Sequence, residues 1–117
     1  GEDVLLLRRI AGRGGFWQTV TGRVEPGEAP AAAAAREARE ETGLDLRVRD
    51  LGYAHAYPFG DLVARETCYA AEARAGSAVR TGPEHETHAW LPAEEAAARV
   101  PWPGLRKAIR LAVSRAG

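Results

Sequence analysis

The segment from Gly22 to Leu46, GRVEPGEAPAAAAAREAREETGLDL, constrains the fold more than any other part of the sequence. Pro30 suits the first turn of a helix, where the missing backbone N–H costs little. Residues 31–35 are all alanine, which has the highest helix propensity of any residue. Gly43 stands where a helix commonly ends in a left-handed residue. The sequence therefore predicts a helix over about residues 30–42.

Three carboxylates lie on one face of this predicted helix. With Glu37 at zero, a turn of about 100° per residue places Glu40 at about 300° and Glu41 at about 40°. Glu37 and Glu41 are four residues apart and repel each other, while Arg36 can reach Glu40. A divalent cation such as Mg²⁺, Ca²⁺ or Mn²⁺, which prefers carboxylate oxygens, would relieve the repulsion. The helix alone leaves open whether this face binds a metal or is simply solvated.

The adjoining face of the helix is made of small side chains. They fall between about 60° and 160° on the same scale, so the helix can approach a sheet closely along this face. The acidic face would then emerge at the edge of that contact. The small residues are Ala31, Ala34, Ala35, Ala38 and Thr42.

The rest of the chain predicts short strands and two further helices, which together indicate a mixed α/β domain with strands flanked by helices. Apolar runs and alternating patterns mark the strands, and glycine-rich or polar stretches mark the loops. Strands are expected at 3–9, in two pieces within 16–25 around Gly22, at 45–58, at 62–73 and at 88–92. Loops are expected at 10–15, 59–61 and 76–87, and helices at 92–100 and 103–116.

Composition excludes several classes of protein. A chain of 117 residues is one domain, and its net charge of zero argues against a protein that grips nucleic acid by its phosphates. It contains no apolar run of about 18 residues and no charged-then-apolar leader, so we expect no membrane segment. The single cysteine, Cys68, permits no internal disulfide, which fits a reducing compartment and predicts a cytoplasmic location. Because the chain has no methionine, we expect residues before Gly1.

The helix and its flanks match a longer motif. Gly22 is followed after five residues by Glu28, and after seven more by the run REAREETGL that begins at Arg36. This spacing over residues 22–44 resembles the signature box of the Nudix hydrolases, with every defining position filled. The segments FWQTVTGRVEPGE, EHETHAWLP and PWPGLRKAI are similar to the branch that acts on dATP and dihydroneopterin triphosphate.

The resemblance implies a single Nudix domain over residues 1–117, with a loop–helix–loop box packed on a mixed β-sheet between helices. It implies a pyrophosphohydrolase that uses Mg²⁺ or Mn²⁺ to convert a nucleoside or pterin triphosphate into a monophosphate and pyrophosphate. Two alternatives stay open: a Nudix hydrolase of another nucleoside diphosphate-X compound, such as a dinucleoside polyphosphate, and a domain that binds nucleotides without catalysis. The oligomeric state is also open.

The resemblance assigns roles to particular residues. The family's metal-binding glutamates correspond to Glu37, Glu40 and Glu41, and the backbone carbonyl of Gly22 often joins them. In the similar branch, an acidic residue in a late loop contributes to metal binding or catalysis, and Glu84 matches that place best. The family does not agree on which carboxylate deprotonates the attacking water, so the general base is left open.

Other residues carry weaker expectations. Glu28 and Arg36 correspond to the family's salt bridge between loop and helix, and Glu86 is a fallback for the late acidic residue. The family fold also has a strand before residues 3–9, which is expected to be missing from this chain.

Two arginines and a tryptophan are candidates for binding the substrate. Arg8 or Arg9, at the end of the first strand, could hold a phosphate by charge-assisted hydrogen bonds, with surface solubility as the alternative. Trp17 could stack on a base, although an aromatic residue at a strand start more often belongs to the core.

Overall fold

The computed structural model describes residues 3–114, which form five strands and three helices, with a 3₁₀ turn at Ala11–Arg13. In chain order the elements are β1 (Asp3–Arg9), β2 (Trp17–Gln18), α1 (Pro30–Thr42), β3 (Val48–Phe59), β4 (Leu62–Ala71), β5 (His85–Pro92), α2 (Ala93–Arg99) and α3 (Pro103–Ser114).

The strands form two antiparallel sheets in the described part of the chain. In the first, β1 is central and pairs with β2 on one side and β5 on the other. In the second, β3 and β4 form a long hairpin whose turn contains Gly60, at φ 62°. Helices pack against both sheets, which confirms the predicted α/β class.

The main hydrophobic cluster lies on one face of β1. Leu6 is fully buried there against α2 and α3, which contribute Ala97 and Ile109 among others. Successive residues of a strand point to opposite faces, so Leu7, also fully buried, faces the other side of the sheet. This alternation leaves a face of β1 available to the region around α1.

Helix α1 has the bounds that the sequence predicts, and its C-terminal end is closely capped. Gly43 adopts φ 76° and donates its backbone N–H to the Arg39 carbonyl, as a left-handed cap does. The Thr42 hydroxyl donates to the Ala38 carbonyl at 2.6 Å and accepts from the Leu44 backbone N–H at 3.1 Å. These contacts end the helix just beyond its last glutamate.

The small-residue face of α1 is only partly as predicted. Ala38 and Thr42 are buried, but Ala31 is exposed and Ala33, which was not expected on this face, is buried. The loop that precedes α1 is tied to the helix at Arg36. That loop is held by the Arg36 side chain, whose Nη2 donates to the Arg23 carbonyl at 2.8 Å.

Three predicted boundaries were wrong. Of the two strand pieces expected within 16–25, only Trp17–Gln18 pairs with another strand, and the chain from Thr19 to Ala29 is irregular. The strand predicted at 88–92 begins at His85, because the long strand β1 continues to pair as far as Arg9. The strand predicted at 45–58 begins at Val48, where its partner strand ends.

Some expectations reach past these residues. The last two residues of the helix predicted at 103–116 lie outside the described part, and the expected loss of the family's strand before β1 stays a prediction. Among residues 3–114, no helix is long and apolar enough to cross a lipid bilayer.

Candidate active site

An open cleft of about 420 Å³ lies between the acidic face of α1, the irregular segment before it and the loop that precedes β5. It brings together most of the residues that the sequence singled out, from four separate parts of the chain. Its lining consists of Arg9, Thr21, Gly22, Glu37, Glu40, Glu41, Gly82, Pro83 and Glu84.

Gly22 and Glu37 are in close contact at one wall of the cleft. A Cβ atom built on Gly22 would overlap the Glu37 carboxylate, so no larger residue fits while Glu37 keeps its place. The fit brings the backbone of Gly22 against the first glutamate of α1. The backbone φ at Gly22 does not lie in the left-handed region, so it is space and not backbone conformation that requires glycine here.

Arg36 joins the loop to the helix behind this wall. Its guanidinium donates two hydrogen bonds to Glu28, from Nε to Oε2 at 2.8 Å and from Nη2 to Oε1 at 3.0 Å. Its Nη1 donates to Glu37 at 2.9 Å and to Glu40 at 3.3 Å. The hydrogen bonds from Arg36, with help from the Glu25 backbone N–H, lower the pKa of Glu28 to about 2. The ion pair expected between loop and helix is therefore present and is shared with two cleft glutamates.

Glu41 has the opposite environment. Burial and the neighbouring Glu37 carboxylate together raise the pKa of its carboxyl to about 8, although a hydrogen bond with the Thr21 backbone opposes this shift. Its Oε1 atom is buried and has no hydrogen-bond partner. A buried polar atom without a partner is costly, so Glu41 is suited to a ligand that supplies positive charge or a donor.

Arg9 and Glu84 also line the cleft, from β1 and from the loop before β5. Glu84 is half exposed, and its carboxylate lies 3.9 Å from the Arg13 guanidinium, a loose contact that leaves it free to reorient. Arg9 lies on the face of β1 that carries Leu7, and its Nε atom is buried without a partner. The cleft thus has a cationic side chain in the same lining as the glutamates of α1.

Three of the other candidate residues do not line the cleft. The Arg8 guanidinium donates to the Gly15 carbonyl at 3.1 Å and pairs with Glu86 at 3.3 Å, so the fallback residue Glu86 is engaged elsewhere. Trp17 packs against the hydrophobic cluster, with the Arg99 guanidinium 5.5 Å from its ring centroid. This placement favours the packing alternative for Trp17 and the surface alternative for Arg8.

Comparison with known proteins identifies the fold family. The profile of the NUDIX domain matches residues 1–112. The chain belongs to the Nudix family. The box predicted over residues 22–44 corresponds to the irregular segment, α1 and its cap, and the family assignment made from the sequence is confirmed.

Solved Nudix structures superpose on nearly the whole chain. The E. coli dihydroneopterin triphosphate pyrophosphohydrolase is 28% identical with a TM-score of 0.84, and the match covers 96% of this chain and 86% of that one. A C. elegans Ap4A hydrolase is 21% identical with a TM-score of 0.83, covering 96% of this chain and 84% of that one. The second likeness shows the shared fold alone.

Curated relatives match by sequence. An octanoyltransferase of Myxococcus xanthus is 44% identical over 115 residues, which are 95% of this chain and 32% of that protein. The NAD-capped RNA hydrolase NudC of Stutzerimonas stutzeri (strain A1501) is 37% identical over 59 residues, which are 50% of this chain and 21% of that protein. The chain thus spans a third or less of the length of these curated relatives.

The residues of the Nudix box fit a divalent cation in their chemistry. Glu37, Glu40 and Glu41 offer hard carboxylate oxygens, the Glu41 Oε1 atom lacks a partner, and the glycine beside Glu37 leaves room that a Cβ would fill. Arg36 holds two of these carboxylates. Within residues 3–114, no three His, Cys, Asp or Glu side chains are already arranged to hold an ion. Binding of an ion would therefore require the carboxylates of Glu37 and Glu40 to turn from Arg36 toward the cleft.

Several residues of this region were missed by sequence reasoning. Thr21, Gly82 and Pro83 line the cleft without any chemical signal in their side chains. Gln18 and His85 form a buried hydrogen bond, with 2.9 Å between their Nε2 atoms. The sequence offered a hint for His85 alone, since it directly follows the candidate Glu84.

Proposed function

We propose that this Nudix domain hydrolyses a nucleoside or pterin triphosphate to a monophosphate and pyrophosphate, using Mg²⁺ or Mn²⁺. The observation that carries the proposal is the cleft, in which the box glutamates face Arg9 and Glu84. The domain's similarity to the E. coli dihydroneopterin triphosphate pyrophosphohydrolase supports the substrate class.

The glutamates of α1 would hold the ion. Glu41 is the strongest candidate because its Oε1 atom is buried and lacks a partner, and Glu37 and Glu40 stand beside it on the same helix. The backbone carbonyl of Gly22 would complete this side of the site. When bound, the ion supplies Lewis acidity and neutralises the charge of the phosphate chain.

The chain's other charged residues would act around that centre. Arg9 would bind an anionic oxygen of the phosphate chain in the cleft, because a guanidinium makes strong charge-assisted hydrogen bonds to phosphate. Glu84 would contribute a further carboxylate, either as a ligand or by accepting a proton from the attacking water. Glu28 and Arg36 would keep the loop against α1 so that Gly22 and Glu37 stay in contact.

The position of the broken bond follows from the products. Release of pyrophosphate requires cleavage between the α- and β-phosphates, whereas loss of the terminal phosphate would leave a diphosphate. A substrate panel with Mg²⁺, containing dATP, dihydroneopterin triphosphate, Ap4A, ADP-ribose and NAD, tests the substrate class. Hydrolysis of dATP in ¹⁸O-labelled water, followed by mass analysis of both products, tests the bond.

The expected result is rapid cleavage of a triphosphate, with monophosphate and pyrophosphate as the initial products. Diphosphate and orthophosphate as initial products would contradict the proposed bond. Cleavage of Ap4A, ADP-ribose or NAD without cleavage of any triphosphate would favour the alternative substrate class. Nucleotide binding without turnover of any panel member would indicate a non-catalytic domain.

A further inference from the structure

A β-bulge at the end of β1 places Arg9 directly opposite His85. Arg8 pairs with Thr87, but Arg9 pairs with His85, so Glu86 is the extra residue on β5. Bulges of this kind re-aim side chains and are common beside active sites. Here the bulge leaves Glu86 exposed and turns His85 inward, where only 4% of its surface remains accessible.

His85 is held in one orientation. Gln18, itself only 3% accessible, contacts the His85 Nε2 atom from the neighbouring strand β2 through its amide nitrogen. An amide nitrogen can only donate, so the Nε2 atom of His85 accepts and its Nδ1 atom carries the proton. The His85 backbone N–H donates to the Gly82 carbonyl at 3.2 Å. Both the ring and the backbone of His85 are therefore fixed.

Arg9 is enclosed on several sides by these neighbours. Its backbone N–H donates to the Phe16 carbonyl at 3.0 Å, and its guanidinium lies 5.7 Å from the Phe16 ring centroid. His85 lies across the strand pair, where directly opposite side chains are about 5 Å apart at Cβ. Arg9 is also one of the residues that line the cleft.

The junction between Arg9 and His85 also contains uncompensated donors. Among residues 3–114, the buried side-chain polar atoms without a partner are the Nε of Arg9, the Nδ1 of His85 and the Oε1 of Glu41. The first two are donors on directly opposed residues. An anionic group that accepts hydrogen bonds would suit these two donors.

We propose that Gln18 and His85 are positioning residues that act through Arg9, holding its guanidinium toward the cleft to bind an anionic phosphate oxygen of the substrate. The inference rests on the proposed function for the identity of the substrate, but not for the binding of a phosphate chain. Arg9 touches the substrate, and His85 and Gln18 do not. By holding Arg9 in place, His85 and Gln18 reduce the conformational entropy that the Arg9 side chain would lose when the substrate binds.

The first test measures binding of inorganic tripolyphosphate with Mg²⁺ by calorimetry, which requires no turnover. We expect Arg9→Gln to weaken binding about 10-fold or more, the loss typical of a charged hydrogen bond. His85→Phe, which keeps a ring without nitrogens, should weaken it about as much. The double variant should be no weaker than Arg9→Gln alone, because residues that act through one another are not additive.

Two variants separate positioning from a general loss of structure. His85→Gln keeps an amide in reach of Gln18 and should bind within about threefold of the wild type if that contact positions Arg9. Gln18→Leu keeps the imidazole of His85 but removes its hydrogen bond with Gln18, so this variant should behave like His85→Phe. His88→Gln, on the same strand but opposite Leu7, is the matched control and should be unchanged. Melting temperatures identify any variant that has not folded.

With dATP as substrate, Arg9→Gln, His85→Phe and Gln18→Leu should each raise KM about 10-fold while kcat changes little, because uniform binding is lost. The proposal is overturned if His85→Phe and Gln18→Leu bind tripolyphosphate as the wild type does, or if their effects add to that of Arg9→Gln. It is also overturned if the wild type does not bind tripolyphosphate. Failure to hydrolyse any triphosphate, with the binding pattern intact, would contradict the proposed function and leave the positioning role supported.

Discussion

Glu28 and Glu41 stand on the two sides of the Nudix box and have opposite electrostatic environments. Glu28 accepts two hydrogen bonds from Arg36, and its pKa falls to about 2. Glu41 is buried beside Glu37, its Oε1 atom has no partner, and its pKa rises to about 8. On the loop side, Glu28 is an anion whose charge is satisfied by Arg36. On the cleft side, Glu41 carries a carboxyl group that resists ionisation.

The difference shows which part of the box is complete in the polypeptide alone. On the loop side, Arg36 supplies the positive charge that Glu28 requires, so this side is internally satisfied. On the cleft side, the Arg36 guanidinium donates hydrogen bonds to Glu37 and Glu40. Among residues 3–114 it makes no such hydrogen bond to Glu41. We infer that the loop side serves the architecture and that the cleft side requires an external cation. Variants of the two sides should therefore fail in different ways.

The largest expected effect is on the cleft side. Glu41→Gln removes ligand charge with almost no change in volume and should lower kcat/KM by about 10²-fold or more, comparable to the loss of a main electrostatic stabiliser. The fold should be retained, because the buried charge is a cost in the metal-free protein. The loss of activity is measured at saturating Mg²⁺, and retention of the fold is measured by circular dichroism. Wild-type activity in Glu41→Gln would remove this residue from the metal site.

Gly22→Ala tests the contact between the two sides. The added Cβ would overlap the Glu37 carboxylate and displace either that side chain or the loop. We expect activity or metal affinity to fall about 10- to 100-fold, as when a group that orients a ligand is lost. Gly12→Ala is the matched control, since nothing lies within 4 Å of a Cβ at Gly12 and its φ is ordinary. Equal kinetics in the two variants would mean that the Gly22 contact is unimportant.

On the loop side, Arg36→Ala should lower activity about 10-fold through misplacement of the glutamates, and it should lower the melting temperature as well. The matched control is Arg110→Ala. Arg110 also makes two hydrogen bonds of 3.0 Å to one carboxylate, Glu94, but on an exposed surface. Such surface pairs contribute little to stability. If both variants melt at the same temperature, the Glu28–Arg36 pair does not brace the box.

The smallest expected effect is the dependence of stability on pH without metal. Glu41 has a folded pKa of about 8 and an ordinary value of 4.5, so the folded state binds more protons between these values and loses stability as pH rises through them. Glu28 has a folded pKa of about 2, so its contribution is present above 4.5 and is lost as pH falls toward 2. Thermal melts of Glu41→Gln and Glu28→Gln across pH should each flatten only the corresponding range. Identical profiles would contradict the contrast between the two sides.

The Nudix box was predictable because its information is local. Helix propensity, an N-terminal proline and a C-terminal glycine determine α1 within a dozen residues, and the spacing of the glutamates follows from helical geometry. The expected pairing of Glu28 with Arg36 came from the same contiguous motif. Boundaries of β2 and β5 were missed because strand limits depend on partners that are distant along the chain.

The sequence by itself determined the family, the helix and the set of carboxylates, since each is written in spacing and residue type within residues 22–44. Only the tertiary structure decided which arginine reaches the cleft, where Trp17 packs and how His85 meets Arg9. The tertiary structure also set the opposite pKa shifts of Glu28 and Glu41. The physical reason is that burial and partner contacts arise between segments far apart in the chain, and residue type alone carries neither.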